Sequence, residues 1–176
     1  MNFYSRRFNL YFCPATLLLV AGCALLDPAG HHVAALRIHL EGDAGSADSN
    51  QTVSVIRSHP VQVAIAKNPI LTESDVVGAR LIESPNGFAV ELKFDEIAGW
   101  GLEQETAVNP GKHLVIFAQW GKKPDDGRWL AAPSINRRVA AGTLVFTPDA
   151  SREEAEKFVK GLNLAAEKNL VAISKK

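Results

Sequence analysis

The sequence predicts an α+β fold in which a mostly antiparallel, mixed sheet packs against two helices. Three observations carry that expectation. Short runs alternate apolar with polar residues at the period of a strand, most strictly where Phe88, Val90, Leu92 and Phe94 interleave with Ala89, Glu91 and Lys93. The segment after Ser151 instead repeats its apolar residues, Ala155, Phe158, Val159, Leu162 and Ala166, at helical spacing. Strands and helices follow one another without regular alternation, which favours antiparallel pairing over the parallel sheet of a strictly alternating chain.

Taken in order, Val33 to Leu40 reads as the first strand, with Val33, Ala35 or Leu36, Ile38 and Leu40 roughly alternating. Glu41 to Gln51 is small, polar and glycine-containing, hence a loop. Val53 to Ile56 and Val61 to Ile65 are strands on either side of His59-Pro60. From Pro69 to Asp75 the chain makes one short helical turn, which Thr72 caps, with Asp75 as its capping-box partner. Val76 to Ile82 and Phe88 to Phe94 form a hairpin, because Pro85-Asn86-Gly87 supplies a turn that tolerates positive φ. Ile97 to Val108 is a helix despite Gly99 and Gly101, stopped by Asn109-Pro110-Gly111. His113 to Trp120, with a wholly apolar centre, is expected in the middle of the sheet. Lys122 to Arg128 is a charged hairpin tip, and Trp129 to Ile135 and Thr143 to Phe146 are further strands. Ser151 caps the closing helix and Glu154 completes its Ser-x-x-Glu box. The tail, Leu170 to Ile173, is expected to add an edge strand.

Composition narrows the function classes. The 176 residues suit one domain, and 47% hydrophobic with 22% charged residues is usual for a globular chain. Nineteen basic residues balance nineteen acidic ones, so no basic footprint for nucleic acid stands out. Two cysteines, Cys13 and Cys23, supply neither a disulfide framework nor a four-ligand zinc site. No apolar stretch reaches the roughly 20 residues of a membrane-spanning helix.

Residues 1–22 carry the pattern of an export signal: Arg6 and Arg7, a mostly apolar run from Phe8 to Ala21, then small residues before Cys23. Leu19-Val20-Ala21-Gly22-Cys23 resembles the lipobox of bacterial lipoproteins. That resemblance implies cleavage after Gly22 and acylation of Cys23 by chains such as palmitate, leaving 23–32 as lipid anchor and tether and 33–176 as a single folded domain. It also implies a place in the bacterial cell envelope, held to a membrane through the acyl chains and facing the periplasm. Ala24, where an aspartate commonly marks inner-membrane retention, favours the outer membrane.

Four stretches then bear a family likeness. They are Leu71-Thr72-Glu73-Ser74-Asp75-Val76 with Ala79-Arg80; Thr106 and Asn109, then Gly111-Lys112 and Leu114-Val115-Ile116; Ala132-Pro133 with Ile135; and Phe146 with Ser151, Glu153-Glu154-Ala155 and Leu162. In this order and spacing they resemble the first periplasmic head domain of SecD, a component of the bacterial protein-export machinery. The resemblance implies that domain's α+β fold and a moving, protein-contacting element that is not an enzyme. It transfers no catalytic residue and no cofactor. The chain departs from the family in lacking the membrane helices that flank the head, and in the longer tip from Gly121 to Gly127.

Read for chemistry, the residues themselves are plain. His31-His32 would point oppositely on a strand and make a poor metal pair, and His39, His59 and His113 show no zinc spacing. His39 and His113 are expected partly exposed on polar faces. Ser54, Ser58, Ser84 and Ser134 lack a nucleophile motif. Asp95-Glu96 and Asp125-Asp126 read as solvated turn residues, and Gly99-Trp100-Gly101 lacks a phosphate-loop context. Trp100, Trp120 and Trp129 are the candidate interface anchors, with Trp120 and Trp129 expected to pair across the tip. Trp120, Lys122, Lys123, Asp125, Asp126 and Trp129 form the candidate protein-binding site. The expected function is a non-enzymatic, lipid-anchored envelope protein that binds a protein or an extended polypeptide, with a link to protein export. The alternative is a ligand- or peptide-binding accessory of an envelope sensor or peptidase, working through a cleft between sheet and helices.

Overall fold

A computed structural model describes residues 34–43, 49–56, 59–85 and 87–173. The expected signal peptide at 1–22, Cys23, the tether and His31-His32 lie outside the described residues, as do Ser58 and Asn86. The strands are β1 Ala35–Leu40, β2 Asn50–Val55, β3 Val61–Ala66, β4 Leu71–Thr72, β5 Val76–Ser84, β6 Gly87–Phe94, β7 Leu114–Gln119, β8 Gly127–Ala131 and β9 Thr143–Phe146. Helix α1 spans Glu96–Val108 and α2 spans Arg152–Ile173, with single 3-10 turns at Glu73–Asp75 and Pro124–Asp126.

The α+β class is as expected, but the strands form three antiparallel sheets rather than one mixed sheet: β4-β1-β7-β8, β2-β3 and β5-β6-β9. The break between the first and third lies at the capped turn. Thr72 N–H and Oγ1 bond the Asp75 carboxylate at 2.7 and 3.1 Å, which turns the chain away from β1 after only two paired residues. The Glu73 carboxylate then accepts from Leu36 N–H at 3.0 Å, continuing with a side chain the edge that β4 leaves.

The four-stranded sheet has a core on each face. Leu36 and Ile38 of β1, Leu114, Ile116 and Ala118 of β7 and Leu130 of β8 point into the main core. There they meet Val90, Leu92 and Phe94 of β6, Leu144 and Phe146 of β9, Leu102 of α1, and Ala155, Phe158 and Leu162 of α2. The opposite face carries Val115 and is covered by the β2–β3 hairpin through Val55, Val63 and Ile65, with Trp129 packed beside them. Leaving β1, the chain ties this hairpin down where Gly42 N–H donates to the Ala64 carbonyl at 2.9 Å. β7 is interior, as its apolar centre predicts.

Both helices begin on side-chain caps. Asp95, expected to be a solvated turn residue, accepts from Ala98 N–H at 2.8 Å and caps α1. Gly99 is explained by packing: a Cβ there would lie 2.8 Å from the Cα of Gly142, whose φ is +60°. Ser151 and Glu154 make the reciprocal capping box of α2, at 2.8 and 3.2 Å. The Arg128 guanidinium, 2.9 Å away, is the main reason the Glu154 carboxyl is held down at about 2, with the Ser151 N–H adding to it. The tail from Leu170 to Ile173 is the last turn of α2 and not an edge strand. Each further helical residue adds a hydrogen bond to an existing nucleus, and this outweighs the strand preference of a short apolar run.

Candidate functional site

The tip between β7 and β8 is a closed turn. Trp120 N–H donates to the Asp126 carbonyl at 2.8 Å, and Lys123 N–H donates to the Asp126 carboxylate at 2.9 Å. Asp126 is therefore a structural brace, while Lys122, Lys123 and Asp125 are exposed. The tryptophans do not pair across the hairpin. Trp129 sits opposite Phe117, three positions before Trp120, and an odd spacing places the two rings on opposite faces of the sheet. Trp120 is only 9% exposed and belongs to the main core, with the Arg128 guanidinium 4.9 Å above its ring. Trp129 is half-buried and meets Phe117 and His39 edge-on, each at 5.4 Å. Of the expected anchors, only Trp100 stands well exposed, at 70%, beside Ile97 on the outer side of α1.

His39 is buried under Trp129, contrary to the expected polar-face position, and its Nδ1 donates to the Ala66 carbonyl at 2.7 Å. Burial pushes its pKa down, the bond to Ala66 opposes this, and Arg37 lowers it further. A base with a lowered folded-state pKa is protonated more readily in the unfolded chain, so stability falls as pH drops below the ordinary histidine value. Glu154 acts lower: its stabilisation is present above the ordinary carboxyl range and is lost as pH falls towards about 2. The melting temperature should therefore drop between pH 7.5 and 5.5, and drop by less in His39→Phe. Equal slopes for wild type and variant would show that His39 is not the titrating group. His113 is half-exposed as expected, with Nδ1 2.7 Å from the Glu41 carboxylate.

Another surface had no warning in the periodicity. Between β5 and α2 runs a groove of about 580 Å3. Its strand wall is Ala79, Leu81 and Glu83, and its helix wall includes Arg152, Val159 and Asn163. The Asn163 amide makes two bonds to one residue: Oδ1 accepts from Ala79 N–H at 2.8 Å and Nδ2 donates to the Ala79 carbonyl at 3.0 Å. Arg152 reaches over the far end to Glu83 at 2.9 Å and stacks on Phe88. Among the described residues no group of three or more His, Cys, Asp or Glu is placed to hold a metal. The exposed surfaces among these residues include a charged tip, an apolar face on α1 and a strand-edged groove.

The model of the SecDF P1 head subdomain matches residues 49–166, about two thirds of the chain. Among solved structures, a membrane component SecDF that enhances protein export is similar at 21% identity and TM-score 0.53, over 76% of this chain and 63% of that one. SecDF in a super-membrane-facing form is similar at 21% identity and TM-score 0.54, over 76% of this chain and 19% of that one. The chain thus spans less than two thirds of the length of either structure. Comparison with curated proteins found no match.

Proposed function

This chain belongs to the family of the SecDF P1 head subdomain, and from that premise we propose that it is a non-enzymatic, lipid-anchored envelope protein that binds another protein or an extended polypeptide in support of protein export. The observation that carries this is the family match across 49–166, which takes in both helices' packing faces and all of β5, β6 and β7. SecDF is a membrane component that enhances protein export. The anchor in this proposal is Cys23, on the strength of Leu19-Val20-Ala21-Gly22-Cys23. Lys122, Lys123 and Asp125 at the tip are the charged contacts, backed by Asp126 and by Trp120 and Trp129 beneath.

A second reading, a peptide- or ligand-binding accessory of an envelope sensor or peptidase, is favoured by the β5–α2 groove, whose volume falls in the range of small-molecule sites. Affinity recovery from crosslinked membranes separates the two. Sec components should be recovered with the wild-type chain, and less with the double variant Lys122→Glu, Lys123→Glu. Recovery of a sensor or peptidase in their place favours the accessory reading. Undiminished recovery of Sec components with the double variant removes the tip from the interface.

A further inference from the structure

We propose that the outer edge of β5, beside α2, takes up an extended polypeptide as an added strand; this rests on the polypeptide-binding reading above and specifies the site and the mode. The phase of the β5–β6 ladder carries it. Ser84 and Gly87 are the first pair across a two-residue turn, and such a pair exchanges both of its backbone bonds. Bonded pairs then recur at Ile82 and Arg80, so Glu83, Leu81 and Ala79 turn their N–H and C=O groups away from β6. The two bonds from Asn163 to Ala79 fit this phase. In chemical terms that amide does what one peptide unit of a neighbouring strand would do.

Beyond Ala79 the edge is open. Leu81 and Glu83 present the same outward pair of groups, and among the described residues no strand lies beside them, β5 being the end of its sheet. Folded chains ordinarily blunt such edges by bulges, charges or covering elements. Here the bulge between Val76 and Gly78 ends the edge on one side, and the Arg152–Glu83 pair crosses the other. That pair is exposed, at 47% and 77%, so it holds the groove shut only weakly.

The walls match in length. Four steps of strand from Ala79 to Glu83 span roughly 13 Å, and eleven steps of helix from Arg152 to Asn163 span roughly 16 Å. Beyond the Asn163–Ala79 contact, the open edge from Arg80 to Glu83 is long enough for a segment of about four residues in extended form. Leu81 and Val159 give the groove an apolar floor, while Glu156, Lys160 and Glu167 on its rim mix both signs of charge. Affinity from main-chain bonds with a mixed rim selects conformation before sequence, which suits an extended polypeptide of varied composition.

The test uses the 15N-labelled full chain and an acetylated, amidated peptide of alternating threonine and valine with a lysine at each end. A twin of that peptide is N-methylated at two neighbouring central residues, which blocks both of its edges. Amide shifts on titration should gather at Leu81, Glu83, Val159 and Asn163, and the twin should bind at least tenfold more weakly. Leu81→Pro should weaken the parent peptide by a similar factor, because it removes an outward N–H that β6 does not use. If the proline disturbs the fold, the twin alone decides. Equal binding of twin and parent, or shifts gathered at the tip or on α1, overturns this site and leaves polypeptide binding standing. No binding of the parent peptide, nor of a reduced, unfolded protein, overturns both.

Discussion

Replacing Phe158 by alanine should shift the denaturant midpoint by the equivalent of ~3–5 kcal/mol, the usual loss for a large core aromatic. Phe158 is fully buried on the inner face of α2, in the main core that also holds Val90, Leu92 and Leu144. Truncating the ring would leave a cavity in that core, and a close-packed core relaxes into such a cavity only in part. A domain of this size has ~5–15 kcal/mol of total stability, and the variant would stand near its limit. Lys157, one residue away, is the control. Its ammonium lies 3.0 Å from Glu153 on the exposed face, an i,i+4 pair worth about 0.3–0.5 kcal/mol. Lys157→Ala should leave the midpoint nearly unmoved. If the two variants unfold alike, the phase assigned to α2 is wrong.

Such neighbouring contrasts are what periodicity encodes well, and they explain which parts of the fold were legible. The alternation from Phe88 to Phe94 and the helical spacing from Ala155 to Ala166 are local and strong, and both elements stand as expected. The caps were legible for the same reason, since Thr72 with Asp75 and Ser151 with Glu154 act within three residues. Strand partners were legible only across the two hairpin turns, β5 with β6 and β7 with β8; the distant pairings of β1 with β7 and β6 with β9 were not. Alternation reports which face a residue takes and says nothing of the strand beside it, so one sheet and three look alike in β1, β5 and β9. The tail from Leu170 to Ile173 has the composition of a strand, but the helical register that continues through it is set upstream.

The candidate site was legible in its location and poorly in its surface. Exposed charge at Lys122, Lys123 and Asp125 follows from composition. The placement of Trp120 and Trp129 depends on a register shift between Ile116 and Phe117, and no spacing rule carries that shift. His39 looked like a polar interruption of a strand, yet the β2–β3 hairpin covers that face and the Ala66 carbonyl satisfies the ring. Asn163 had one signal, an amide between Leu162 and Leu164 in an otherwise apolar stretch. Its partner is 84 residues away, beyond any local pattern.

The largest change of all is expected from Cys23→Ser. In the proposed lipoprotein the Cys23 thiol is the acyl acceptor, so the variant should carry no fatty-acid label and should move from the membrane to the soluble periplasmic fraction. Acyl chains contribute ~0.8 kcal/mol per buried methylene; one chain alone binds reversibly, and two or more hold stably. Removing every chain therefore takes away most of the affinity for the bilayer. The described residues offer little in compensation, since no helix among them is long and apolar enough to cross a membrane. The 22 residues of α2 have the length, but charged side chains cover its outer face. Ile97 and Trp100 on α1 are the strongest rival contact, with Ile97 exposed at 87%. Glu96 beside them and the absence of any basic residue along α1 make that face a poor match for anionic lipid. Metabolic labelling with a clickable fatty acid, followed by fractionation, decides the matter. Equal label in wild type and variant would reject Cys23 as the acceptor. An unlabelled variant that stays with the membrane would keep Cys23 as the acceptor and assign retention to a protein partner, and Ile97→Ser with Trp100→Ser would then show whether α1 holds it.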